Sequence, residues 1–365
     1  MNNTAGIWGT WIFILLVYGI MPFMTQKTVV FGVRIPPDMH DHPFLTQILR
    51  RYLAGEGILA ILILLLIHFT HLEINQGMGS AILLGLTLVL FTLDYMLAHF
   101  SVSTRKKREG WYENRRQASL ADTNQAHKLS PWVWLWWEIP AWALALALTV
   151  VGITRYPYLP ARIPVHFNNQ GVANGWMTKS ISVIIFPLSM TVGSILLLTG
   201  ILWLVMTRTH PDLDPSDPKG SLNRSIIFRR RMIITLGVAA LAATVTTALT
   251  ALSTWDVVPS ADLPKIIPIV LFVALAAIFA VTMKTGQEGR NLPHVSTDST
   301  TYVHYDDDRF WKGGILYYNP NDPKVLVDKR FGIGWTLNFA RPSVWIGLAI
   351  LILIALLPFL LHGGV

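Results

Sequence analysis

Three carboxylates set among apolar residues are the first places to look for chemistry. Glu56 lies in RRYLAGEGILAILILLLIHF, Asp94 in LVLFTLDYMLAHF and Glu138 in WVWLWWEIPAW. An ionisable side chain inside a membrane span costs about 2.5–3.5 kcal/mol to insert, so it faces a bundle interior or water. Counted along helices at ~1.5 Å per residue, all three acids sit at a similar, shallow depth of about 8–9 Å. One reading is a proton or cation pathway, or a cavity open to the cytoplasm. The other is local pairing with Arg34, Arg50 or Arg51 near the interface.

A second constellation lies in Tyr156–Lys179, YPYLPARIPVHFNNQGVANGWMTK. Pro157, Pro160 and Pro164 fix φ and push their predecessors toward extended geometry, so the preceding helix cannot continue through them. Asn174-Gly175 predicts a tight turn. Arg155, Arg162 and Lys179 carry positive charge with no acid nearby, suited to a lipid phosphate or an anionic group on a peptide. His166, with Asn168 and Asn169, supplies donors and acceptors, and Trp176 an interfacial anchor. The candidate ligand-binding residues are therefore Arg162, His166, Asn168, Trp176 and Lys179. A structured lid that touches no ligand accounts for the same residues. Two histidine pairs are weaker still: His68 and His71 with Glu73, and His40 with His42. Neither matches a zinc-protease helix, and no metal site is expected.

These residues must be positioned by membrane helices. The chain has 365 residues, 52% hydrophobic and 14% charged, against ~25% charged in soluble domains. Eight apolar runs, about 7–24, 48–69, 79–98, 132–153, 181–206, 232–254, 264–283 and 343–361, approach or exceed the ~20 residues that cross a bilayer. The first lacks the basic leader and small-residue cleavage site of a signal peptide. Connectors after runs one, three, five and seven carry 4, 7, 6 and 8 of the 29 lysines and arginines, leaving 4 on the opposite side. The positive-inside rule then predicts basic connectors in the cytoplasm and both termini outside. Basic patches such as Arg105–Arg108 are expected at anionic headgroups, with no direct nucleic-acid binding. The expected fold class is an all-α polytopic membrane protein of about eight transmembrane helices, with a small β-rich cytoplasmic element before the last.

Domain boundaries follow the runs. Residues 1–130 hold three spans and a basic loop, 131–206 two spans around the loop at 156–179, and 207–284 two more. Residues 285–342 form the cytoplasmic element, with strand-like patches at Ile315–Tyr318, Lys324–Val327 and Trp335–Phe339, and 343–365 the last span. Asp306–Asp308 is expected to be a solvated acidic turn. The aromatic run from Trp132 to Trp137 predicts an interfacial belt, and Pro187 and Pro268 fit either kinks or the broken helices of transporters. With no cysteine, thiol catalysis and thiolate metal sites are excluded. No P-loop, dinucleotide fingerprint or nucleophile elbow occurs, so neither an enzyme nor a cofactor is expected.

Tyr156, Pro157, Leu159, Pro160, Ile163, Pro164, His166, Phe167, Gly171, Trp176 and Lys179 together resemble the signature of the membrane family catalogued as domain of unknown function 1648. That likeness covers about residues 131–206. MPFMTQKTVVFGVRIP at Met21–Pro36 is similar to larger members of the group. Phe310–Pro342 is similar to a second uncharacterised domain, domain of unknown function 5808. The first domain also occurs in SdpI-type immunity proteins of Gram-positive bacteria. The resemblance implies a multi-pass plasma-membrane protein that senses or neutralises a membrane-active peptide and signals to a cytoplasmic transcriptional regulator. The rival reading is a secondary transporter coupled through Glu56, Asp94 and Glu138, and a third is a lipid-organising scaffold without a ligand.

Overall fold

The computed structural model describes residues 4–70, 77–119, 135–168, 171–209, 211–293 and 302–362. His71, Glu73, Asn169 and Trp132–Trp134 lie outside them. Each of the eight apolar runs coincides with a long helix among the described residues. These are α1 (Thr4–Met24), α2 (Pro43–Thr70), α3 (Gly77–Arg108), α4 (Ile139–Arg155), α5 (Ser182–Arg208), α6 (Pro218–Thr254), α7 (Leu263–Thr285) and α8 (Pro342–His362). Five stretches are long and apolar enough to cross a membrane: Ala81–Arg108, Ile139–Tyr158, Ser182–Thr207, Pro218–Thr254 and Ser260–Gly289. Shorter apolar helical stretches occur at Trp11–Met24 and Pro342–Leu353. The chain is thus a mainly helical membrane protein with small strand elements.

Local chemistry sets the helix boundaries. Pro140 stands in the first turn of α4, where its missing N–H costs nothing, and Glu138 takes the N-cap position. Leu135 is also helical, and a turn at Trp136–Glu138 separates it from α4. Pro218 opens α6, so Arg229–Arg231 lie within that helix rather than ahead of it. α5 and α7 continue through Pro187 and Pro268, so neither is a broken helix.

The chain divides into two compact units, one from 126–207 and 229–284, the other from 2–125, 208–228 and 285–365. In the first, Leu148 of α4, Val183 and Ile184 of α5, and Ala248, Ala251 and Trp255 from the α6 end enclose a core with Leu159 and Ile163. Trp255 is fully buried, and its indole N–H donates to the Val183 carbonyl at 3.1 Å. Its ring packs so closely on Gly152 that a Cβ there would lie 2.8 Å from it.

In the second unit, α2 and α3 pack side by side with α1 against both. Trp11 donates to Thr87 at 3.1 Å, and Tyr52 donates to the Tyr18 carbonyl at 2.9 Å. Strands β1 (Val29–Val30) and β2 (Val33–Arg34) form an antiparallel hairpin. Phe31 and Gly32 turn it with φ of 46° and 73°, both positive as a two-residue hairpin with right-handed strands requires. Phe31 enters a core of Tyr52, Tyr95 and Val102. Short strand pairs complete the unit: β3 (Gln117–Ala118) runs parallel to β6 (Val303–His304), β7 (Trp311–Lys312) pairs with β8 (Leu316–Tyr317), and β9 (Leu326–Asp328) pairs with β10 (Trp335–Leu337).

Candidate functional site

The segment after α4 makes one turn of 3-10 helix at Tyr156–Tyr158 and then a hairpin of β4 (Arg162–Phe167) and β5 (Ala173–Thr178). Arg162 stands opposite Thr178, Pro164 opposite Trp176, and His166 opposite Gly175, with a register irregularity between Pro164 and His166. Side chains alternate across a strand. Ile163 enters the core, whereas Arg162, His166, Asn174, Trp176 and Thr178 are exposed. The tight turn is not at Asn174-Gly175. It lies at Asn168–Val172, where Gly171 has φ of 77° and a Cβ would sit 2.5 Å from the Ser260 carbonyl oxygen. Gly175 instead serves close approach inside β5, where a Cβ would meet that of His166 at 2.7 Å.

The five candidate residues separate into two kinds. Lys179 and Asn168 build the loop. The Lys179 ammonium donates to the carbonyls of Pro157 (3.0 Å) and Leu159 (2.8 Å) and lies 5.3 Å from the Tyr156 ring. Asn168 accepts from the Val172 N–H at 2.9 Å and closes the turn. Arg162, His166 and Trp176 instead share the exposed face. The Arg162 guanidinium lies 5.6 Å from the Trp176 ring centroid, a cation–π contact of about 0.5–1 kcal/mol when exposed. His166 Nδ1 hydrogen-bonds the Asn174 side-chain oxygen. Arg155 is spent on the Asp256 carbonyl at 2.8 Å.

Among the described residues the intramembrane acids make no ion pair with arginine. Glu138, at its N-cap position and 2% exposed, accepts from Thr199 of α5 at 2.6 Å. Glu56 is buried, and among the described residues neither of its oxygens has a hydrogen-bond partner. Asp94 presses against Gly55, where a Cβ would lie 2.6 Å from Oδ2. Among the described residues no three His, Asp or Glu converge as a metal site. His42 Nδ1 accepts from the Phe44 N–H at the start of α2.

Sequence reasoning missed a buried charge cluster in the second unit. Asp306–Asp308 is not a solvated turn. Arg34, Lys106 and Arg330, with side chains 5%, 6% and 2% exposed, converge on it. Arg34 bonds Asp307 and Asp212, each at 2.8 Å. Lys106 bonds Asp306 at 2.7 Å and Asp308 at 2.6 Å. Arg330 bonds both Asp307 and Asp308, donates to the Gly32 carbonyl at 3.0 Å, and lies over the Trp311 ring. Lys106 is therefore drawn out of the basic patch expected at headgroups, and Arg105 pairs with Glu109. Burial penalises the Asp307 and Asp308 charges, yet the cations outweigh it and hold both carboxyls below the usual range. Asp212 shifts the same way, with burial overcome by Arg34. His304, 3.8 Å from Asp212, is pushed down by burial and by Arg34 and stands neutral at pH 7. A cavity of about 190 Å³ opens here, lined by Asp212, His304, Asp307 and Tyr317 among others.

Two family models match the chain. Residues 143–191 match the domain of unknown function described as DUF1648, and residues 320–345 match the family of unknown function described as DUF5808. The chain carries both domains. The first match spans α4, the hairpin and the start of α5. The second takes in β9 and β10. No curated protein matches the chain, and no solved structure does.

Proposed function

We propose that this is an eight-span protein of the bacterial plasma membrane, related to SdpI-type immunity proteins, whose outer hairpin receives a membrane-active peptide. The division of lysine and arginine among connectors supports placing both termini and the hairpin outside. The observation that carries the reading is the exposed hairpin face, on which Arg162 lies over Trp176 beside the His166–Asn174 pair. An indole half in contact with water suits the interface between acyl chains and headgroups. The guanidinium over it offers several donors to a carboxylate or phosphate without moving far. Lys179 and Asn168 act in this reading by holding the loop, and a cytoplasmic transcriptional regulator is the partner that would read occupancy.

The test is survival of a peptide-sensitive Gram-positive strain that expresses the chain, under a panel of membrane-active peptides. The comparison is the Arg162→Ala/Trp176→Ala variant at matched membrane abundance. Lys179 is left intact, because its loss would disturb the backbone it holds. Protection by the parent chain that the variant lacks supports the reading. Equal protection by both, or none by the parent, removes it.

A further inference from the structure

The β7–β8 hairpin runs alongside the basic end of α3. At its base, Asp308 bonds Lys106 at 2.6 Å. At its tip, a Cβ on Gly314 would lie 2.7 Å from Nδ1 of His99, and one on Gly313 would lie 3.2 Å from the Met96 methyl. The helix climbs about 10 Å between His99 and Lys106 at ~1.5 Å per residue, so the tip is set that far back from the base. The flank of α3 at the level of the tip is apolar, with Leu97 67% and Phe100 54% exposed. Both belong to Ala81–Arg108, a stretch long and apolar enough to cross a membrane. The tip therefore lies at the depth of acyl chains and the base at the depth of headgroups. Irregular backbone is tolerated at the deeper level only where protein covers it, and Gly314 is buried against His99 and Gly32.

Alternation sorts the side chains of this hairpin by face. Trp311 and Tyr317 stand opposite each other and are buried, whereas Lys312 and Leu316 stand opposite each other and are exposed. Tyr318 continues the exposed face, and it and Leu316 are each about half exposed. Asp306, Asp307 and Asp308 are taken by Arg34, Lys106 and Arg330. Arg309 and Lys312 meet no carboxylate among the described residues. Lys312 donates to the Arg309 carbonyl at 3.2 Å. Arg309 donates to the Tyr305 hydroxyl at 2.9 Å and lies 4.6 Å from the Phe310 ring. The face thus passes from leucine near the tip to tyrosine and then arginine near the base, and the lysine reaches outward along its own stem. A leaflet presents acyl chains, interface and anionic headgroups in that same order.

We propose that the exposed face of β7–β8 is a lipid-docking surface, with Leu316 and Tyr318 set into the leaflet at the basic end of α3 and Arg309 and Lys312 on anionic headgroups. The strand element ahead of the last helix is then held partly within the bilayer and is not a free cytoplasmic domain. Lipid is the occupant because the face continues the exposed apolar flank of α3 at the same depth, and because its unspent charges are all positive. The inference needs α3 to span the membrane, and it is independent of the peptide reading of the hairpin at 162–178.

The chain has no cysteine, so single cysteines introduced into the full protein accept a nitroxide spin label at one chosen place. Labels in Leu316→Cys and Tyr318→Cys are compared with labels in Phe100→Cys and in Arg116→Cys, an exposed position beyond the end of α3. In phosphatidylglycerol vesicles, collisions with oxygen are expected to exceed those with a neutral nickel chelate at Leu316, as at Phe100. The order should reverse at Arg116. Phosphatidylcholine vesicles, or Arg309→Gln/Lys312→Gln in phosphatidylglycerol, are expected to raise chelate access at Tyr318, because the attraction to headgroups is lost. A Leu316 label that behaves like the one at Arg116 overturns the docking surface. A Tyr318 label that responds neither to vesicle charge nor to the double variant overturns the part given to Arg309 and Lys312. A Phe100 label in water removes the span and the proposal together.

Discussion

The hairpin and the buried charge cluster both depend on arginine and lysine, but they neutralise them in opposite ways. In the hairpin, Lys179 and Arg155 are met by backbone carbonyls, and Arg162 by a ring face. Among the described residues no carboxylate pairs with these three, and Arg162 keeps its charge on the exposed face. In the cluster, three buried cations meet Asp212, Asp306, Asp307 and Asp308. The charges there are consumed by one another and hold together segments distant in the chain. One arrangement displays charge, and the other uses it as an internal fastening.

The sharpest way to break the contrast is to delete one fastening. Arg330→Ala leaves Asp307 and Asp308 short of a partner and the Gly32 carbonyl without its donor. Removing one side of a buried pair costs about 3–5 kcal/mol. Chemical denaturation in detergent should read a loss of that order, and hydrogen exchange should rise in 303–330 and 26–36 but not in 156–179.

Acid should separate the regions next. Asp212, Asp307 and Asp308 have folded-state values below their unfolded ones. Their contribution is complete above the unfolded carboxylate range near ~4 and is lost as pH falls through the depressed values. Protection in 303–330 is therefore expected to hold from neutral pH down to about 4 and to decline below it. Hairpin protection should lack that decline, because among the described residues its cations meet carbonyls and a ring rather than carboxylates. A parallel decline in both regions would erase the distinction.

Within the hairpin, Gly171→Ala forces a side chain into a positive-φ position facing the Ser260 carbonyl, at a cost of about 1–3 kcal/mol. Lys179→Met strips two carbonyls of their donor and should cost about 1–3 kcal/mol. Both are readable as faster proteolysis in the loop at matched abundance. The smallest effect on stability is expected from Trp176→Ala, below about 1 kcal/mol, since the ring is half exposed and its stacked partner is free to hydrate. That variant should leave the melting temperature almost unchanged while reducing protection against peptides. A large drop in melting temperature would instead make Trp176 part of the packing.

What could be read ahead of the structure was whatever depends on neighbours in the chain. The eight apolar runs all become helices because apolar length and local hydrogen bonding are properties of a continuous segment. The strand patches at Ile315–Tyr318, Lys324–Val327 and Trp335–Phe339 contain or overlap β8, β9 and β10. The extended, proline-set character of Tyr156–Lys179 was legible for the same reason. Its turn was not. Asn174-Gly175 carries the local signal of a hairpin, but the pairing of β4 with β5 uses Gly175 for close approach and gives the turn to Asn168–Val172.

Sequence by itself determined the membrane character, the sites of the helices, the lack of any thiol chemistry and the uneven distribution of positive charge. Tertiary structure alone decided which charges are spent and which remain. Arg34 and Asp307 are 273 positions apart, and Lys106 and Asp306 are 200. No periodicity links such residues, so an acidic triplet looks solvated until the fold brings cations to it. The same holds for Glu56, whose burial depends on how α1, α2 and α3 pack together. A buried charge is governed by the partners that surround it, and only the folded chain chooses them.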